Sequence, residues 1–277
     1  MPVVELPTAG IVGLGAMGRP AAEHLATAGI QTIAYDVDEH VVAARGVRRS
    51  ASLPDLAAQC TAVFIFVPSD AGVRDVCSRE SGLLAGARSG TTLLICSSVQ
   101  PETCKDIAKL ATPLGVNVLD AALTGGVRGA EAGEVNLLVG GDERVLDQVR
   151  PLLEPWTTAV HHLGGLGAGQ VGKTVNNLCH WAQISAITEA LTLGLRLGVD
   201  PRRLRLALQD GPADSRTLRE IQLLRLAWHA KDLGNAMAMA ETVCQPMPVA
   251  EVVREVMKGI SVESVAALLN DQESAPT

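Results

Sequence analysis

Three glycines and one aspartate near the start of the chain stand at the spacing that holds a nucleotide. Gly13, Gly15 and Gly18 follow the apolar strand that begins GIV at Gly10 and open an alanine-rich helical stretch. In a G-x-G-x-x-G turn the first glycine permits a tight bend. The second lets backbone N–H groups approach a pyrophosphate at the positive helix end, and the third lets helix pack on strand. Asp36 closes the next apolar run, QTIAY, about 20 residues on, where a carboxylate accepts hydrogen bonds from a ribose diol. The residues after it are Val37 and Asp38, with no arginine to hold a 2′-phosphate, so the pattern points to NAD rather than NADP.

Three later segments hold further groups with chemistry. DAALTGGVRGAEAG, from Asp120 to Gly133, offers a hydroxyl and backbone donors around adjacent glycines. It suits a small carboxylate close to the main chain, and equally an ordinary glycine-rich turn. GAGQVGKTVNN, from Gly167 to Asn177, puts Lys173 and Asn177 at i and i+4 on one helical face near that helix's start. A surface lysine and a polar asparagine are the plainer alternative. KDLG, from Lys231 to Gly234, is by itself a solvated charge pair. Only Lys105, Lys109, Lys173, Lys231 and Lys258 among the 23 basic residues are lysine. Arginine cannot release its proton near neutral pH, so a chain that avoids lysine keeps it where titration or compactness is needed.

The elements that must position these groups show in the hydrophobic rhythm. Up to about residue 160, the apolar runs GIVGLG, QTIAYD, AVFIFVP, TTLLICSS, VNVLDAA and VNLLVGG alternate with helical patterns. The helices are expected after Gly15, over Val37 to Arg45, Ala71 to Cys77, and Glu102 to Leu114. That alternation predicts a mostly parallel sheet with right-handed crossovers. From Gly167 the strand signals stop. Residues 168 to 197 read as one long helix with Val171, Val175, Leu178, Ile184, Ile187, Leu191 and Leu195 apolar. A break from Gly198 to Pro201 follows, then shorter helices to about Leu269 and a polar tail, NDQESAPT, expected to fray. The fold class is therefore α/β: an N-terminal Rossmann doubly wound parallel sheet, then an all-α C-terminal domain with a long interdomain helix. The boundary is expected near Leu163, giving a dinucleotide-binding domain over 1–163 and a helical substrate and dimerisation domain over 164–277.

Composition excludes several classes. A net charge of -7 in 277 residues argues against nucleic-acid and anionic-membrane partners. Aromatics are 2% of residues, too few for stacking platforms on single-stranded nucleic acid. MPVVELPTAG has no basic segment followed by a long apolar one, and runs such as CTAVFIFVP are strand-length, so a soluble cytoplasmic protein is expected. Cys60, Cys77, Cys96, Cys104, Cys179 and Cys244 form no C-x-x-C pair and read as buried free thiols, not as a disulfide or zinc framework. His161 and His162 are adjacent, so in an extended segment they face opposite ways. No metal site is expected.

Taken together, the segments resemble the β-hydroxyacid dehydrogenase family, whose members include 3-hydroxyisobutyrate dehydrogenase and tartronate semialdehyde reductase, over nearly the whole chain. The family's G-x-G-x-M-G matches Gly13 to Gly18, and its D-A-P-V-S-G-G substrate motif matches Asp120 to Gly126. Its G-x-G-x-x-x-K-x-x-N-N matches Gly167 to Asn177, and its later K-D-L matches Lys231 to Leu233. The resemblance implies an NAD-dependent oxidoreductase that interconverts a small 3-hydroxy acid and its aldehyde or keto acid. It implies Lys173 as the group that takes or gives the hydroxyl proton, with Asn177 orienting the hydroxyl or the lysine. Thr124, Gly125 and Gly126 would hold the substrate carboxylate, Ser98 would lie beside the nicotinamide, and Lys231 would add a second positive charge. Gly13, Leu14, Gly15, Ala16, Met17, Asp36, Val67, Pro68, Ser98, Lys231 and Asp232 are the implied cofactor contacts.

The chain departs from the family pattern at some positions. Ala122 and Thr124 replace the usual proline and serine, and Ser98 replaces a threonine. Only RTLREIQLLRLAWHA separates Ser215 from Lys231, where the family has a longer segment with a tryptophan near position 216 and phenylalanines beyond. Two alternatives therefore stand beside the main reading: an imine reductase-like enzyme on the same scaffold, and a non-catalytic cofactor-binding interaction protein. The long helix, apolar on more than one side, predicts a homodimer or homotetramer.

Overall fold

Short aliphatic runs become the strands of a single sheet. A computed structural model describes residues 7–270, so the last residues of the polar tail, 271–277, lie outside the described residues. The strands are β1 (Ala9–Val12), β2 (Thr32–Tyr35), β3 (Val47–Arg49), β4 (Ala62–Ile65), β5 (Thr92–Ile95), β6 (Asn117–Thr124), β7 (Val135–Gly140) and β8 (Thr157–Gly164). They order as β3-β2-β1-β4-β5-β6-β7-β8. Strands β1 to β6 run parallel, β7 pairs antiparallel with β6, and β8 runs parallel to β7. The strand order turns back between β1 and β4, and in such sheets ligands bind beyond the carboxyl ends of the strands at that reversal.

Every residue of β1, β4 and β5 is buried, as in a parallel sheet covered on both faces. Ile11, Leu25, Phe64, Leu94 and Trp156 fill one face, and Ile33, Leu56, Ile65, Leu93 and Ile107 fill the other. The Trp156 ring meets Phe64 edge-on at 5.7 Å. Four thiols lie in these cores, where burial pushes Cys60 and Cys77 up to about 12 and raises Cys96 and Cys104 as well. Cys179 and Cys244 are exposed, against the expectation that all six would be buried.

Two strands and one expected helix differ from the sequence reading. β3, with sequence VRR, is too short and charged to register as an apolar run, and β8 is only half-buried. Residues 37–45 are turns and irregular chain, not a helix. The Asp36 Oδ1 accepts from Asp38 N at 3.0 Å and the Asp38 Oδ1 from His40 N at 2.9 Å. The Arg49 guanidinium holds the carbonyls of Asp36, Asp38 and Val41. Side chains thus satisfy the backbone groups that a helix would have paired.

The chain divides into two compact units, Met1–Lys173 and Thr174–Thr277, within the helix Ala168–Arg196. The described part of the second unit is helical, with Pro201–Gln209, Arg216–Glu220, His229–Thr242, Pro248–Val256 and Val262–Asn270 following the long helix. Trp181, Ile184, Leu191, Ile221, Leu233 and Met257 make its core. Among the described residues, no helix is long and apolar enough to cross a membrane.

Candidate active site

β1 ends at Val12, and the chain bends through Gly13 at a φ of +91°, where a Cβ would lie 2.3 Å from the Phe66 carbonyl oxygen. A Cβ on Gly18 would lie 2.0 Å from the Gly13 carbonyl oxygen. At Gly15 a Cβ would meet nothing within 4 Å, and Gly15 and Ala16 are exposed. The first and third glycines therefore close the turn, while the second leaves open space over the backbone. Leu14 is buried and Met17 packs on the core, so the loop is anchored from beneath. The helix Gly18–Thr27 has neither a capping side chain nor an acid in its first turn. Arg19 N already donates to Gly15 O at 3.1 Å and Pro20 has no N–H, so it is the open Gly15–Met17 turn at the positive helix end that fits the pyrophosphate of a dinucleotide.

Asp36, at the end of β2, is half-buried and locked to that loop. Its Oδ2 accepts from Leu14 N at 2.7 Å, and Oδ1 from Asp38 N. A carboxylate has about four acceptor positions, so two bonds leave room for a ribose diol. Arg49 on β3 is the arginine that the residues next to Asp36 do not supply. Its terminal nitrogens donate to main-chain carbonyls, 2.8 Å to Asp36 and 2.9 Å to Asp38. It braces the loop, a role no local sequence signal carries.

The carboxyl ends of β4, β5 and β6 share one edge because the strands are parallel. Val67 N donates to Ser97 Oγ at 2.9 Å, and Ser97 Oγ donates to Ile65 O at 3.2 Å. Val67 is half-buried, Pro68 exposed, and Ser98 half-buried between buried Ser97 and Val99. Asp120 pairs with the last residue of β5, so Thr124, at the end of β6, stands beyond that level. The chain then turns through Gly125 at φ +111° and Gly126 at φ +65°. A Cβ on Gly126 would meet nothing within 4 Å.

Asp120 opens the match to the substrate motif, yet its carboxylate faces the long helix. It is fully buried, and accepts from Gly167 N at 2.6 Å and Gln170 N at 2.8 Å. Burial raises its pKa, opposed by these N–H donors. The helix can come this close only because small residues line the contact. A Cβ on Gly169 would lie 2.2 Å from Leu138 O, and one on Gly140 would lie 2.5 Å from Asp120 Oδ1. Lys173, half-buried, follows Gln170 by three residues and shares its helix face.

The remaining expected site residues belong to the second unit. Asn177 is half-buried, with Oδ1 accepting from Asn176 Nδ2 at 3.1 Å. Lys231 is exposed on the helix His229–Thr242. Beside it, the Asp232 Oδ2 accepts from the Trp181 indole N–H at 3.1 Å, tying this helix to the long one. The short segment before it is folded, with the Ser215 hydroxyl capping Arg216–Glu220 and Arg219 paired with Asp214.

The strand order and the glycine cradle define a dinucleotide-binding protein of Rossmann type. The family model described as the NAD binding domain of 6-phosphogluconate dehydrogenase matches residues 8–164, and that described as NAD-binding of NADP-dependent 3-hydroxyisobutyrate dehydrogenase matches 167–271. A 2-hydroxy-3-oxopropionate reductase of Escherichia coli is 35% identical, over 86% of this chain and 86% of its own. A 2-(hydroxymethyl)glutarate dehydrogenase of Eubacterium barkeri is 29% identical, over 90% and 88%. The solved structure of Mycobacterium tuberculosis 3-hydroxyisobutyrate dehydrogenase with L-serine superposes with a TM-score of 0.83 at 27% identity, covering 97% of this chain and 100% of that one. The chain belongs to the β-hydroxyacid dehydrogenase family, NAD-dependent oxidoreductases acting on the CH–OH group of small hydroxy acids. This fits better than either the imine reductase-like or the non-catalytic alternative.

Proposed function

We propose that Lys173 transfers the hydroxyl proton of a small 3-hydroxy acid while Asn177 orients that hydroxyl or the lysine itself. NAD, when bound, supplies the hydride acceptor, and its reduced form the donor. Thr124, Gly125 and Gly126 hold the substrate carboxylate, and Ser98 lies on the nicotinamide side. Gly13, Leu14, Gly15, Ala16 and Met17 hold the pyrophosphate and Asp36 the ribose, with Val67, Pro68, Lys231 and Asp232 completing the cofactor contacts. The observation that carries this reading is the buried Asp120 cap, which seats the lysine-bearing helix at the carboxyl end of β5 and the middle of β6. A free lysine is almost wholly protonated at neutral pH, so its surroundings must lower its pKa for efficient transfer. Residues 1–163 form the dinucleotide-binding domain, which also carries Thr124 to Gly126, and 164–277 the helical substrate and dimerisation domain, which adds Lys231 and Asp232 to the cofactor contacts. The protein works in the cytoplasm as a homodimer or homotetramer, and its free thiols suit a reducing compartment.

An initial-rate screen of 3-hydroxyisobutyrate, L-serine, glycerate, threonate and 4-hydroxybutyrate with NAD and with NADP tests this. Turnover of at least one 3-hydroxy acid, with a higher kcat/KM for NAD, is expected. Asp36→Ala narrows the cofactor preference, because its carboxylate repels a 2′-phosphate. Absence of turnover across the panel, or equal rates with NADP, counts against the substrate class or the cofactor assignment respectively.

A further inference from the structure

Past Ile95 the pairing of β5 with β6 ends, and on that side one side chain pairs the segment that follows, while Cys96 N and Ser97 N still donate to Ile65 O. Gln170 is 1% exposed, and its amide makes two bonds to one short stretch of main chain. Oε1 accepts from Val99 N at 3.1 Å, and Nε2 donates to Ser97 O at 2.8 Å. The two bonds bracket Ser98 from either side, as an adjacent strand would. The amide's orientation is set by its partners, since Val99 offers a donor and Ser97 an acceptor. The Gln170 main-chain N–H meanwhile donates to the buried Asp120 carboxylate on β6. A single residue therefore joins the end of β5, the middle of β6 and the first turn of the helix that carries Lys173 one turn later on the same face.

We infer that Gln170 is a positioning residue: its amide holds the Ser97–Val99 backbone at a set distance from the helix turn of Lys173, so that Ser98 and the proton-transferring nitrogen stay in register. This rests on the roles of Lys173 and Ser98 proposed above. A purely structural amide would affect folding and leave the chemistry of the folded enzyme alone. A positioning amide acts on kcat, because a displacement of about 1 Å near reacting groups costs about a hundredfold in rate.

The test compares full-length Gln170→Met and Gln170→Glu with the parent. Methionine keeps the length and loses both bonds. Folded Gln170→Met is expected to lose about a hundredfold in kcat. The loss nearly disappears in the residual rate of Lys173→Ala, where no proton-transferring group remains to be displaced. In Gln170→Glu the neutral acid can make both bonds and the carboxylate only one. Its kcat relative to the parent at the same pH should therefore climb as pH falls, with the Asp120 carboxylate and burial keeping the introduced acid neutral well above the ordinary range. A folded Gln170→Met with parental kcat, or an equal proportional loss in both backgrounds, overturns the inference. Should Gln170→Met not fold, a pH-independent ratio for Gln170→Glu overturns it. Lys173→Ala with parental kcat would instead overturn the role of Lys173, whereas inactive Lys173→Ala beside normal Gln170→Met removes only the positioning role.

Discussion

Lysine and arginine bear the same charge but differ in whether they can give up a proton, and this chain uses them unequally. Lys105, Lys109 and Lys258 sit in exposed ion pairs three residues from their partners, where arginine would serve as well. Lys173 is half-buried on a helix whose start is pinned by a buried carboxylate. If its task is proton transfer, Lys173→Arg keeps the charge and roughly the reach yet loses activity almost as fully as Lys173→Ala. General acid–base assistance is worth about 100- to 10,000-fold, so kcat should fall within that range while NAD affinity stays close to parental. If Lys173 only attracted the substrate carboxylate, the arginine variant would keep kcat and change KM. A kcat within a few-fold of the parent would therefore reject the acid–base role and turn attention to Lys231.

At the scale of elements, the same change from glycine to alanine should act with opposite sign at two helical positions. Gly169→Ala drives a Cβ to 2.2 Å from Leu138 O and 2.7 Å from Asp120 Oδ2, so the helix start must lift from the sheet. A cost of about 2 kcal/mol is expected from such overpacking, a fall in Tm of roughly 4–8 °C. A Cβ on Gly234 meets nothing within 4 Å, so Gly234→Ala gains helix propensity, up to about 1 kcal/mol. Thermal melts of the two variants check the pair, and equal shifts would refute the close-packing argument. These glycines also mark what a sequence makes legible. Gly13, Gly15 and Gly18 announce their turn because nucleotide, helix and strand impose a fixed local spacing. The long helix and six strands show for the same reason, through runs and periods of apolar residues. The Asp120 cap and the Gln170 bridge join residues 47 to 73 positions apart, and no local period encodes them. The stretch 37–45 has a helical composition, but bonds from Asp36, Asp38 and Arg49 side chains to its backbone override that tendency.

For the molecule as a whole, the question is what covers the apolar surface that one chain leaves bare. The second unit closes a core around Trp181, Ile184 and Leu191, all from the inner side of the long helix. Val175 and Leu193 stand about five helical turns apart, hence on one face, and Leu197 lies one turn further along it. They are 53%, 59% and 73% exposed, on the side of the helix opposite Ile184 and Leu191. A helix apolar on both sides is stable in water when each side has a partner, and a second copy offers a self-complementary partner through a two-fold axis. The protein should therefore sediment as a dimer or larger at micromolar concentration. Leu193→Glu should shift it towards monomer while leaving its far-ultraviolet circular dichroism unchanged, because the leucine adds little to the core of its own chain. A parent protein that stays monomeric at every concentration in analytical ultracentrifugation would contradict the shared-helix assembly, and the exposed stripe would then need a partner other than a second copy.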